Sequence, residues 1–196
     1  MLRPVPLNGV CTLGELVVGP DPVGPAGLGG RTMPVKLPKY AHWVAERRFL
    51  VDAAVAPTLD AAGARRIEDL YIDGGRLRLR AITHLSTGER EFKLAKKYAP
   101  DNPLIGPMAN LYLNAEEHAV LAALPGERLS KLRHKLGGFT VDVFEGDLKG
   151  LMLAECEASN RMAAMSFEIP KWCVREVTSL PEYTGWRLAQ NRDGVI

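Results

Sequence analysis

Like charges recur at every second residue along this chain, and that alternation limits what it can fold into more than any other feature. Arg76-Leu77-Arg78-Leu79-Arg80 carries three arginines at alternate positions, and Leu151-Met152-Leu153-Ala154-Glu155-Cys156-Glu157 carries two glutamates spaced alike. A β-strand turns successive side chains to opposite faces, so Arg76, Arg78 and Arg80 share one face while Leu77 and Leu79 share the other. Lys131-Leu132-Arg133-His134-Lys135 repeats the basic pattern. In 46–51, Glu46 and Arg48 fall on one side with Arg47 opposite, and Asp142 stands opposite Val141 and Val143. An ordinary solvated strand face also alternates, but it mixes signs. Here most strands carry one sign, and the basic and acidic ones are different strands. Such sorting points to an enclosed polar face, where crowded like charges favour a counter-charged ligand.

Turn signals organise the rest. Residues 1–38 are rich in Gly and Pro, as in Gly19-Pro20-Asp21-Pro22-Val23-Gly24-Pro25, and show no period. Such a stretch buries too little apolar surface to offset the cost of ordering it, so a disordered leader is expected, with a folded domain over 39–196. Met33, just ahead of the folded pattern, is a candidate start. Strands are expected at about 42–51, 65–73, 76–83, 89–97, 109–113, 129–136, 139–145 and 151–158. Asp73-Gly74-Gly75 and Ser86-Thr87-Gly88 read as hairpin turns. Pro57 to Ala64 reads as a short helix ended by Gly63, 100–107 as a loop, and Pro181 to Gln190 as a helix. Asn114 opens another helix to about Leu124, with Glu117 as its capping-box partner. Few connections are long enough for parallel crossovers, so the strands pair antiparallel.

The expected fold class is α+β, mainly antiparallel β, and the seven or eight strands fit a closed barrel tunnel with a polar interior and flanking helices. If the charged faces point inward, the Leu77/Leu79, Val141/Val143 and Met152/Ala154 faces need helices over them. The interior must then stay wet, because burying unpaired charge is costly. Closure also removes exposed strand edges. Composition excludes several other classes. Net charge is only +2, from 25 Lys+Arg against 23 Asp+Glu, and no aromatics interleave with the basic strands, which argues against a nucleic-acid partner. No run approaches the roughly 20 apolar residues of a membrane span, and no signal layout opens the chain, so a cytoplasmic location is expected. Cys11, Cys156 and Cys173 make neither a disulfide framework nor a zinc site, and His42, His84, His118 and His134 have no metal-ligand spacing.

With these segments in order, the chain resembles the CYTH family, the triphosphate tunnel metalloenzymes. The resemblance runs over about 40–190 and rests on Glu46-Arg47-Arg48-Phe49-Leu50-Val51, Arg78-Leu79-Arg80, Glu91-Phe92-Lys93-Leu94-Ala95-Lys96, Lys131-Leu132-Arg133, Asp142-Val143-Phe144 and Glu155-Cys156-Glu157. Pro170-Lys171-Trp172, Glu176-Val177-Thr178 and Tyr183 match the family ending. It implies a closed eight-stranded antiparallel barrel whose tunnel binds a triphosphate or polyphosphate and hydrolyses a triphosphate, inorganic or small organic, with Mg²⁺ or Mn²⁺. Arg48, Arg78, Arg80, Lys93, Lys131 and Arg133 would cradle the phosphates, and Arg48 and Glu46 would take part in catalysis. Glu46, Glu155 and Glu157 would ligate metal, with Asp142 as a further candidate. Lys93 and Lys96 compete for one role on opposite faces. Glu176 and Tyr183 would be structural.

Two departures bear on activity. The first glutamate of the family's opening E-x-E-x-K strand is Val44, and its lysine is Arg48. A lost carboxylate weakens a metal site, so phosphate binding could survive while turnover falls. A non-catalytic triphosphate or polyphosphate sensor is therefore the alternative from another class. A class IV-like adenylate cyclase is the alternative enzyme.

Overall fold

A computed structural model describes residues 38–98 and 102–190. Met33 and, but for Pro38, the expected leader lie outside these residues. The described strands are β1 (His42–Val51), β2 (Arg65–Ile72), β3 (Leu77–His84), β4 (Arg90–Lys97), β5 (Ile105–Leu113), β6 (Gly126–Leu136), β7 (Phe139–Phe144), β8 (Met152–Ala158) and β9 (Cys173–Glu176). The helices are α1 (Ala115–Ala122), α2 (Arg161–Met165) and α3 (Gly185–Gln190).

All strand pairings are antiparallel, in the order β5-β4-β3-β2-β6-β7-β8-β1, and β5 returns to pair with β1. Eight strands thus close a barrel. The seam is the edge of β1 away from β8. Along it β5 pairs with His42 to Ala45, and β9 pairs with Phe49 to Val51. Between them the Glu46 amide donates to the Leu104 carbonyl at 2.8 Å, and the Arg48 amide donates to Thr178 Oγ1 at 3.0 Å. Val177 N–H donates in turn to the Arg48 carbonyl at 2.8 Å, so the seam leaves few backbone groups unpaired.

Alternation in the sequence becomes an inside and an outside. On the outer face, Leu70, Ile72, Leu77, Leu79, Leu94 and Leu113 pack under Leu121 and Ala122 of α1. Asn114 caps that helix. Its side chain accepts from Glu117 N at 2.9 Å, while Glu117 Oε2 accepts from Asn114 N at 2.8 Å. Phe49, Val141, Ala154 and Cys156 pack with Phe139, Phe167 and Trp172 on the outer side of β1, β7 and β8. Arg47 lies on that outer side as well, clamped by Glu176 at 2.7 and 3.1 Å.

The inner face changes character along its length. Where β1, β2 and β7 end and β6 and β8 begin, the inward residues are Leu50, Tyr71, Leu129, Phe144 and Leu153. They form one cluster with Leu148, Leu151, Val177, Leu180, Tyr183, Leu188 and Ala189. The C-terminal segment therefore fills this end of the barrel with apolar side chains, and the charged residues occupy the rest of the interior. Tyr183 belongs to this plug and Glu176 to the outer clamp.

Three expected elements differ. Residues 57–64 form no helix, because the Asp60 carboxylate accepts from Ala62 N at 2.9 Å and Gly63 N at 3.1 Å, a local turn that competes with helical bonding. The strand expected at 109–113 begins at Ile105 instead. Pro107 fits because it lies where β5 passes from β1 to β4, and its carbonyl still accepts from Tyr98 N at 3.1 Å. The helix expected from Pro181 is split into a 3₁₀ turn, Pro181–Tyr183, and α3.

Candidate active site

Register places the charged residues around the interior. In β1 and β8, Arg48 lies opposite Glu155, and Glu46 opposite Glu157. In β6 and β7, Arg133 lies opposite Asp142. Across β2, β3 and β4, Asp69 faces Arg80, Tyr71 faces Arg78, and Arg80 faces Lys93. Arg48, Arg78, Arg80, Lys93, Lys131 and Arg133 thus share the inner face with Glu46, Asp142, Glu155 and Glu157. Lys96 has the opposite parity and sits over the Tyr98 ring. Lys135 donates to Thr140 Oγ1 and is exposed.

Two aspartates form the deepest layer. The Asp69 side chain is 0% exposed and Asp142 1%, against 9% for Arg80 and 6% for Lys131. Arg80 grips Asp69 side-on through Nε at 2.6 Å and Nη2 at 2.7 Å. Lys131 Nζ donates to Asp142 at 2.5 Å, and Arg133 adds Nε and Nη2 bonds of 2.7 Å each. These are charge-assisted pairs shielded from water, where their geometry carries most weight. Burial pushes both aspartate carboxyls up. The cations facing them outweigh burial, and both stay below the ordinary carboxylate range. For Lys131 the balance runs the other way: burial, with Arg133 and Arg80 beside it, lowers its amine below the usual value despite Asp142.

Above this layer lies the β1–β8 wall. Arg48 donates through Nε to Glu155 Oε1 at 3.1 Å and through Nη2 to Glu46 Oε1. Arg133 also reaches Glu155 at 3.3 Å, and Lys97 reaches Glu46 at 3.3 Å. Burial again pushes both glutamates up, and Arg48 with its neighbouring cations holds both below the usual range, Glu155 well below. Glu157 is exposed and enters no ion pair among the described residues.

Arg78 and Lys93 are the least committed cations. Arg78 Nε is buried with no hydrogen-bond partner among the described residues, and Asp69 lies 3.8 Å from it. Lys93 lies 3.6 Å from Glu91 and 4.8 Å from the centre of the Tyr112 ring. The forks of Arg80 and Arg133 spend two and three bonds on carboxylates, and a guanidinium carries five N–H donors. A cluster of fixed cations with donors left over is a receptor for an anion rich in oxygen acceptors.

Mg²⁺ or Mn²⁺ would have to be held by the donors that line this interior. All are carboxylate oxygens, the right chemistry for a hard cation, which for Mg²⁺ requires near-octahedral ligands at about 2.0–2.1 Å. Their disposition is wrong. Val44, on the inner parity two residues before Glu46, offers no oxygen. Glu46 and Glu155 are both engaged by Arg48, and Asp142 is enclosed by Lys131 and Arg133. Among the described residues, no three His, Cys, Asp or Glu side chains gather to hold a metal ion. Withdrawing Arg48 would take from Glu46 and Glu155 the cation they share, leaving Lys97 on the one and Arg133 on the other, each at 3.3 Å. The side chains as arranged do not fit a divalent cation.

Asp69, Lys97 and Tyr112 belong to the interior but escaped the sequence reading. Their signal was parity. Asp69 alternates with Ile67 and Tyr71, and the Asp73–Arg76 turn aligns it with Arg80. Lys97 lies four residues beyond Lys93, on the same face.

No protein-family profile matches the chain, and no curated protein matches it. Solved structures do. The inorganic triphosphatase NE1496 is 26% identical over 76% of this chain and 95% of its own, with a TM-score of 0.48. A second structure, of the hypothetical protein NE1496, is 28% identical over 76% and 98%, with a TM-score of 0.49. A conserved hypothetical protein from Pyrococcus furiosus is 18% identical over 62% and 83%, with a TM-score of 0.43. Among the described residues, no helix is long and apolar enough to cross a membrane.

Proposed function

We propose that this protein binds a triphosphate, inorganic or small organic, inside its barrel and hydrolyses the terminal anhydride. The observation that carries this reading is the buried Arg78 Nε without an acceptor among the described residues, on the inner face of β3 beside Arg80, which lies opposite Lys93. An orphaned buried donor is costly to leave unpaired, and a phosphate oxygen would satisfy it. An incoming anion would also relieve the mutual repulsion that, with burial, weakens the Lys131 ammonium.

In the reaction, water attacks the terminal phosphorus, the P–O anhydride bond breaks, and inorganic triphosphate leaves as diphosphate and phosphate. Charge that builds on the transferred group is met by guanidinium and ammonium groups already in place, which is where most of the catalysis lies. Glu157, on the inner parity and in no ion pair among the described residues, is the carboxylate available to orient the water and take its proton. Phosphate release from inorganic triphosphate, ATP and thiamine triphosphate, assayed in EDTA and with added Mg²⁺ or Mn²⁺, tests the reading. Release from any of them supports hydrolysis, and its absence from all refutes it. One observation favours a non-catalytic sensor instead: with Val44 and Arg48 in place, Glu157 is the one acid on the β1–β8 wall without an ion pair among the described residues. Tight binding without turnover identifies that case, and cyclic AMP formed from ATP would identify a cyclase.

A further inference from the structure

We propose that the Arg48 guanidinium stands in for a divalent cation, so that a polyphosphate chain binds inside the barrel without Mg²⁺ or Mn²⁺. The inference rests on the triphosphate reading above and names how that same site achieves its charge balance. It is carried by three features of the β1–β8 wall. Arg48 donates to Glu46 and Glu155 at once, occupying oxygens that a metal ion would need. The position from which a further carboxylate would reach is Val44, which is buried and aliphatic. The Arg48 backbone is itself fixed on both sides, its amide by Thr178 Oγ1 and its carbonyl by Val177 N–H, so the guanidinium is held where it is.

Arginine suits this task where lysine would not. Its charge persists at any physiological pH, and it has five donors in a rigid fork. Two donors bind the carboxylates and three remain for phosphate oxygens. An ammonium has three in all and would exhaust most of them on Glu46 and Glu155. Arg48 thus does what a bridging metal ion does between carboxylate and phosphate, as a permanent part of the chain. Glu46 and Glu155 become its positioning residues.

The test uses the full chain and two probes, inorganic triphosphate and Mn²⁺. Calorimetry should show inorganic triphosphate binding in EDTA, with no tightening when Mn²⁺ is added. Electron paramagnetic resonance of free Mn²⁺ should be unchanged by the protein alone. In Arg48→Met, which keeps an unbranched stem close to that of arginine but no donors, affinity in EDTA should fall by about tenfold or more. Mn²⁺ should then bind the freed carboxylates and restore triphosphate affinity. Wild-type binding that requires Mn²⁺ overturns the inference and leaves the triphosphate reading intact, as does wild-type capture of Mn²⁺ without triphosphate. Failure to bind in either buffer overturns both. The wild-type arms decide the matter even if the variant does not fold.

Discussion

Asp69→Asn is the substitution that most severely tests how the barrel tolerates so many enclosed charges. The Asp69 side chain has no exposure and accepts two bonds from Arg80, at 2.6 and 2.7 Å, with Arg78 3.8 Å away. Hydrogen bonds to charged groups contribute about 1.5–3 kcal/mol each. Asparagine keeps one acceptor but turns an amide N–H₂ toward the guanidinium and removes the countercharge. Breaking a buried pair from one side costs about 3–5 kcal/mol, so about 3 kcal/mol or more is expected here. In a domain of this size that lowers the melting midpoint by about 6 °C or more. Urea unfolding followed by circular dichroism measures it. The double variant Asp69→Asn with Arg80→Met should recover about 1–3 kcal/mol of the summed losses, since the two side chains act as one unit. Saturating inorganic triphosphate should protect Asp69→Asn more than the wild type, because it supplies the missing negative charge. A loss below about 1 kcal/mol, or strictly additive effects, would refute the idea that Asp69 is the counter-ion holding the Arg78–Arg80 face inward.

Three further outcomes are expected. Glu157→Gln should lower phosphate release by about 100-fold or more while triphosphate affinity changes little, a split read from single-turnover kinetics beside calorimetry. Acid should unfold the barrel early: Glu46, Asp69, Asp142 and Glu155 all have folded values below their unfolded ones, so their contribution is complete above the unfolded values of about 3.9–4.3 and is lost as the pH falls below them. Unfolding free energies that stay flat from about pH 6 to pH 3 would contradict this assignment. Gly126→Ala should cost about 1–3 kcal/mol, since a Cβ there would meet the Tyr71 carbonyl oxygen at 2.2 Å across the β2–β6 pair, and chemical denaturation checks it.

Much of this architecture was legible because the strand period is two. Arg78 and Arg80, Lys131 and Arg133, and Glu155 and Glu157 could be given a common face from spacing alone. The apolar residues between them then had to lie under helices, as Leu79 does beneath α1. What spacing does not encode is which charge meets which. Asp69 lies in a strand whose sequence, Arg65-Arg66-Ile67-Glu68-Asp69-Leu70, mixes signs and sets its single buried acid beside the exposed Arg66 and Glu68. The bridging role of Arg48 depends on two strands more than a hundred residues apart in sequence meeting in one register. The apolar plug was hidden for a similar reason. Leu129, Phe144 and Leu153 look like ordinary strand residues until Leu188 and Ala189 are brought against them from the end of the described chain. Local turn chemistry misled at Asp60, where a short helix-like composition lost to side-chain bonds to the backbone.

Arg78→Met separates a receptor for phosphate from a barrel whose charges serve only the fold. Because Arg78 Nε has no hydrogen-bond partner among the described residues, and Asp69, 3.8 Å away, is gripped by Arg80 instead, removing Arg78 should leave unfolding free energy within about 1 kcal/mol of the wild type yet weaken inorganic triphosphate by about 10- to 100-fold in calorimetry. Equal affinity for triphosphate in the two proteins, or no measurable affinity in either, would contradict the account.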